Sequence, residues 1–281
     1  SFGPIMFVWF SMLAVLGIPQ IISNPEVIKA VSPHYAYELL VNKPHGFWLL
    51  GAIFLCTTGA EALYSDLGHC GKQNIRITWS FVKVCLLLNY FGQGAWLIDH
   101  DGMLLGHNIP FYAIMPKWFL FTGIIIATTA AIIASQALIS GSYTLVSEAM
   151  RLNFWPKVKI HYPTFEKGQM YVPSLNWLLY GGCIAVVLYF QESSNMEAAY
   201  GLSITITMLM TTFLLSYYLY IRRTPKYLVL LGLVIFFSVE TAFLVANLKK
   251  FAHGGWVTLV IGSCIFCTMW VWFKARKIKN R

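Results

Sequence analysis

One acid in this chain sits where an acid is expensive. Glu61 lies in the segment 54–69, Phe-Leu-Cys-Thr-Thr-Gly-Ala-Glu-Ala-Leu-Tyr-Ser-Asp-Leu-Gly-His, directly after the apolar run 47–55. A carboxylate at membrane depth costs several kcal/mol unless it is partnered, so an ionisable group there is a functional candidate by default. Thr57, Thr58 and Gly59, just before it, form a poor stretch for a straight helix and offer hydroxyls and freed backbone carbonyls. An acid beside a broken helix is how transporters build a cation site near the midplane. If the chain resumes a helix after the break, Glu61 and Ser65 share a face, with Thr57 one turn before and Tyr64 three residues on. Hydrogen bonding between helices is the structural alternative for the threonines. Asp66 and His69 fall near the end of the apolar segment and suit a helix-end role better than ion coordination.

Other polar groups inside apolar runs form a second tier. Tyr200, Ser203 and Thr207 can share one helical face and present a phenol and two hydroxyls to a cation. Ser135, Gln136, Ser140 and Ser142 make their run too polar for a lipid-facing helix, so it should face the protein interior, by small-residue packing or as pathway lining. Segment 89–95, Asn-Tyr-Phe-Gly-Gln-Gly-Ala, is small and polar and should be buried against neighbours. Glu240 is a second acid within an apolar run; it needs a partner, and structural pairing outweighs transport for it.

The elements that must position these residues follow from composition. The chain has 281 residues, 58% hydrophobic and 11% charged. Soluble domains carry about 25% charged residues, so this is a polytopic membrane protein. Apolar runs at about 4–23, 47–68, 77–98, 118–147, 172–191, 197–221, 227–247 and 255–273 give about eight transmembrane helices, an all-α fold. The net charge of +9 reflects basic loops between spans, not nucleic-acid binding. Most of the Lys and Arg lie on one side: in the loops before residues 77, 172 and 227, and in the tail after the last span. That side is cytoplasmic, and with it the C-terminus. Lys83 lies within the third span, near the basic side, where it can snorkel.

Enzyme signatures are absent from the sequence: there is no His-Glu-x-x-His, no Gly-x-Ser-x-Gly and no P-loop. The six cysteines lie in apolar runs except Cys70, so disulfides are not expected. Cys264 and Cys267 have metal or redox spacing but lack a second pair, and packing in the membrane accounts for them. Residues 151–171 carry Val158, Ile160 and Tyr162 in alternation, which predicts a short strand or hairpin. The chain opens on Ser1 rather than a methionine and enters an apolar run at once, as a fragment or a chain trimmed upstream would.

Several segments together resemble the Kup-type potassium uptake permeases. The most telling are 58–69 (Thr-Gly-Ala-Glu-Ala-Leu-Tyr-Ser-Asp-Leu-Gly-His) and 89–95. Ala-Ser-Gln-Ala-Leu-Ile-Ser-Gly at 134–141, Gly-Gln-Met-Tyr-Val-Pro at 168–173, Ala-Ala-Tyr-Gly at 198–201 and Gly-Gly-Trp at 254–256 follow in family order. The resemblance implies the LeuT-like inverted-repeat fold of the amino acid–polyamine–organocation superfamily, with this chain covering roughly helices five to twelve. Residues 1–273 would then form a transmembrane domain, with the second repeat at about 47–221 and the last two helices at about 227–273. Residues 274–281 would be a basic cytoplasmic tail. The N-terminal helices and C-terminal cytoplasmic domain of the full permease would be missing, and with them about half of the ion site.

By the same resemblance the function is potassium uptake across the plasma (inner) membrane by proton-coupled symport. Potassium and protons are then the partners, with the lipid bilayer and a possible homodimer, and no cofactor is required. Glu61, Thr58 and Tyr200 would hold K+, with Thr57 and Gly59 beside them. Glu61 would neutralise the ion or carry a proton when the ion leaves. Two rivals remain: an amino-acid or amine permease of the same superfamily, and a membrane interaction protein that transports nothing. The clustered Thr, Ser, Gln and acids count against the second.

Overall fold

The computed structural model describes residues 2–43, 45–59, 72–103, 105, 109–162 and 170–279. It is all-α apart from one isolated bridge. The helices are α1 (Gly3–Ser23), α2 (Pro33–Asn42), α3 (Gly46–Ile53), α4 (Lys72–Asp99), α5 (Pro110–Ala113), α6 (Leu120–Arg151), α7 (Pro173–Phe190), α8 (Ser193–Ile221), α9 (Lys226–Leu248) and α10 (Gly255–Lys279). Seven of them, all but α2, α3 and α5, are long and apolar enough to cross a membrane. Their boundaries follow the expected spans to within a few residues, and α4, α6 and α10 run on into the basic flanks. The expected span at 47–68 is described only as far as Gly59.

The described residues divide into two compact units, one from 2–37 and 72–142, the other from 38–59, 143–162 and 170–279. In the first unit α1 packs on α4. Val82, Cys85, Asn89, Gly92 and Ala95 are buried, and their spacing of three and four puts them on one face of α4. The helices come close because Gly17 and Gly92 meet: a Cβ on Gly92 would run into the Gly17 backbone, and one on Gly17 into the Leu88 carbonyl. Segment 89–95 therefore presents its small residues and Asn89 to α1. Met12, Leu13 and Leu16 of α1 form a core with Ile114 and Met115. At the far end of this pair, Asn24 Nδ2 donates to Asp99 Oδ1 at 3.0 Å. Lys83 places its Nζ 5.2 Å from the centre of the Trp79 ring, one turn toward the N-terminus of α4, the direction in which helical side chains lean.

The second unit is built around α8, which packs on α9, α10 and the turn at Phe54–Thr57, while α3 packs on α9. Gly254, at φ +129°, lets the chain turn tightly into α10 against Phe190 and the Asn195 carbonyl. At the opposite end of α10, Arg276 donates to Asn153 Oδ1 at 3.0 Å and Phe273 stacks obliquely on Phe154. The expected strand at 151–171 is reduced to one antiparallel bridge: His161 and Tyr171 exchange backbone hydrogen bonds of 2.9 and 2.8 Å. Residues 163–169, between the two halves of that bridge, lie outside the described residues. Among the described cysteines, Cys85, Cys183, Cys264 and Cys267 are free thiols; Cys70 and His69 lie outside the described residues.

Candidate functional site

The helix break is local and has a clear geometry. α3 is apolar and stops at Ile53, and Phe54–Thr57 tighten into a 3-10 turn. Thr58 then leaves the helix with φ −82° and ψ 173°, and Gly59 follows at φ +107°. That φ belongs to the left-handed side of the map, where glycine carries no Cβ penalty. A chain leaving a helix stops using the carbonyls of its last turn, so acceptors collect at such an end. The Thr58 hydroxyl donates to the Leu55 carbonyl at 2.8 Å. Its proton is thereby directed to the turn, and its lone pairs remain to accept. The break is anchored from behind: Phe54 is 1% exposed and its ring lies 5.0 Å from that of Phe243 in α9.

Glu61, Tyr64, Ser65 and Asp66 lie outside the described residues, so the acid that motivates the site is not positioned with these groups. Tyr200, Ser203 and Thr207 do share one face of α8, and it is an exposed face. The opposite face of α8, carrying Ala198, Gly201, Leu202, Thr205 and Thr212, is the buried one. The polar face is self-satisfied: Thr207 donates to the Ser203 carbonyl at 3.0 Å and Thr211 to the Thr207 carbonyl at 2.9 Å. Leu55 of the break reaches Gly201, since a Cβ there would sit 3.7 Å from Leu55 Cδ2. The last turn before the break and the start of α8 are thus neighbours within this unit.

Gln136 belongs to the other unit and is exposed, as are Ser135 and Ser140. Within this chain, then, the polar stretch of α6 is largely exposed rather than packed inward. Ser142 donates to the Leu138 carbonyl at 2.9 Å, and Ser140 donates to that of Gln136 at 3.1 Å.

Glu240 is 7% exposed and has the partner it needs: Thr212 Oγ1 of α8 donates to its Oε1 at 2.7 Å. Its Oε2 is buried with no hydrogen-bond partner among the described residues. Sequence reasoning missed Thr212 and, higher in the same seam, Asn247, which is 1% exposed. The signal available was spacing: Thr205 and Thr212 in α8, like Glu240 and Asn247 in α9, lie seven residues apart and so on one face. The ion pairs among the described residues are exposed. Lys29 pairs with Glu26 at 3.0 Å, and that hydrogen bond holds the lysine above its ordinary pKa. Arg151 pairs with Glu148 at 2.9 Å, also exposed. No group of His, Cys, Asp and Glu suited to a metal ion occurs among the described residues.

Seven helices of membrane-crossing length, apolar on faces that no other described element covers, define an all-α, multi-pass membrane protein. Within that class the chain belongs to the potassium transporter family: residues 1–277 match the family described as K+ potassium transporter integral membrane domain. Similar proteins carry the name "Probable potassium transport system protein Kup". That of Flavobacterium psychrophilum is 58% identical over 284 residues, 99% of this chain and 43% of the relative. That of Cytophaga hutchinsonii is 59% identical over 286 residues, 100% of this chain and 44% of the relative. That of Clostridium perfringens is 54% identical over 284 residues, again 43% of the relative. The chain therefore spans less than half the length of these curated relatives. No solved structure matches it.

Proposed function

We propose that this chain works within a longer permease that takes up potassium across the plasma (inner) membrane, coupled to protons, and supplies one half of its ion site. The observation that carries this reading is the break at Thr57–Gly59, which turns an apolar helix into an acceptor-rich end two residues before Glu61. Potassium is a weakly hydrated cation, and oxygen ligands can replace its shell. Thr58, whose hydroxyl keeps acceptor capacity while donating to the Leu55 carbonyl, Thr57 and the carbonyls around Gly59 supply neutral oxygens. Glu61 supplies the balancing charge, or carries the proton when the ion has left. Tyr200 offers a phenolic oxygen from α8, with Ser203 and Thr207 along the same face. Tyr64, Asp66 and Gln136 are secondary contributors, and Glu240 is bound up in pairing with Thr212.

The reading extends to architecture. Residues 47–221 form the second inverted repeat of a LeuT-like fold, with the last two helices at about 227–273 and a basic tail at 274–281 in the cytoplasm. The basic residues of α10 and the segment after α6 lie at one end of their unit, joined by Arg276 and Asn153, which supports a common cytoplasmic side. The exposed polar face of α8 is where the missing N-terminal helices, with their share of the site, would dock. The longer permease also carries a C-terminal cytoplasmic domain and forms a homodimer.

The experiment is uptake by a chimera in which this chain replaces the matching 284 residues of the Flavobacterium psychrophilum relative. Rubidium uptake, inhibited by potassium and indifferent to excess amino acids and amines, is the expected result. Uptake of an amino acid or amine in place of rubidium would favour the permease class that shares this fold and overturn the reading.

A further inference from the structure

Asn247, near the end of α9, has an amide whose two ends behave differently. Nδ2 donates to the Phe243 carbonyl at 3.1 Å, one turn back. Oδ1 is buried and, among the described residues, accepts no hydrogen bond. A buried acceptor left unmade costs about 1–3 kcal/mol, and a side chain that retains one calls for an explanation. The oxygen is aimed at two glycines on two other elements. A Cβ built on Gly201 of α8 would lie 2.8 Å from it, and one on Gly51 of α3 would lie 3.3 Å from it. Glycine at both positions leaves room for the amide oxygen to sit this close to both backbones. One carboxamide therefore touches α3, α8 and α9 at a single point. Six residues on from Gly51 the chain reaches Thr57, where the break begins, and Gly201 directly follows Tyr200.

We propose that Asn247 is a positioning residue for the ion site: it sets the spacing of α3 and α8, and so the distance between Thr58 at the break and the Tyr200 face. The proposal rests on the role assigned above to Thr58 and Tyr200. A packing role alone would be served as well by an apolar side chain of similar shape. The orphaned oxygen makes Asn a costly choice for filling space and a sensible one for fixing register, since its contact is directional.

The test uses Asn247→Leu, close in shape and free of the buried acceptor. Spin labels at the exposed residues Leu49 of α3 and Met210 of α8, with native cysteines replaced, report the spacing in the purified chain by pulsed electron resonance. Uptake by the chimera reports apparent KM and maximal rate per folded protein. The expected result is unchanged or higher thermal stability, a shifted or broadened distance distribution, and a KM for rubidium raised at least about fivefold, the small end of coupling between two sites. An unchanged distribution overturns the proposal, and so does a changed one with an unchanged KM. Should Asn247→Leu fail to insert, Gly201→Ala serves: its methyl would come within 2.8 Å of the amide oxygen, so an amide that fixes the spacing shifts the distance, and an unaltered distribution again overturns the idea. Because the distance is read on the chain itself, a chimera that takes up no rubidium refutes the proposed function and leaves the spacing result standing.

Discussion

The Thr212–Glu240 contact predicts a specific pattern of stabilities. The two side chains are 9% and 7% exposed, joined by one bond of 2.7 Å, and the second carboxyl oxygen has no partner. Thr212→Val keeps the shape and removes the only donor. Hydrogen bonds between helices in membranes average about 0.6 kcal/mol, but orphaning a buried acceptor costs about 1–3 kcal/mol. The second term governs here, because Glu240 has no alternative donor among the described residues, so the loss should be about 2 kcal/mol. Glu240→Leu alone should cost less. The freed Thr212 hydroxyl can turn to the carbonyl four residues back, as Thr207 and Thr211 do. The double variant, apolar on both sides, should lie near the unsubstituted chain. The coupling energy is then about 2–3 kcal/mol in magnitude, toward the upper end of the range found for residues in contact. Unfolding of the purified chain by dodecyl sulfate in mixed micelles, followed by tryptophan fluorescence, measures all four corners. A coupling near zero, or a Thr212→Val chain as stable as the parent, would refute the reasoning.

Three further outcomes follow from other parts of the molecule. Gly92→Ala should loosen the α1–α4 crossing and cost at least about 2 kcal/mol in the same assay, toward the upper end of overpacking costs because backbone rather than side chain is in the way; a loss under half of that contradicts the crossing. Glu26→Gln should return Lys29 to the ordinary lysine value, read by nitrogen-15 titration of the lysine side chains. Because the partner raises this pKa, the pair's small contribution to stability is complete at neutral pH and fades as the pH climbs through the raised value. Tyr200→Phe in the chimera should raise the KM for rubidium while leaving uptake measurable, since only one neutral oxygen is removed.

What could be read from the sequence was set by physics that acts locally. The membrane class follows from apolar length, and the break at Thr57–Gly59 from a β-branched pair before glycine. Within segment 89–95 the burial of Asn89, Gly92 and Ala95 follows from Gly92, whose missing side chain invites a neighbouring backbone. The polar stretch of α6 is largely exposed in this chain, and Ser140 and Ser142 also donate within their own helix, so hydroxyl content by itself does not fix which face turns inward. The shared face of Tyr200, Ser203 and Thr207 came from helical period alone; that it is exposed while Thr205 and Thr212 are buried depends on which helices pack around α8. Asn247 stayed hidden for the same reason. An asparagine near a helix end looks like a cap, and its contact with Gly51 and Gly201 spans nearly 200 residues of sequence.

The central claim is that Glu61 is the charged half-site for potassium beside the broken helix. Rubidium-86 uptake by the chimera, compared for the parent and Glu61→Gln at equal amounts of membrane-inserted protein, tests it most directly. The account predicts that the amide, equal in size and without charge, abolishes uptake. Undiminished uptake by Glu61→Gln would contradict it.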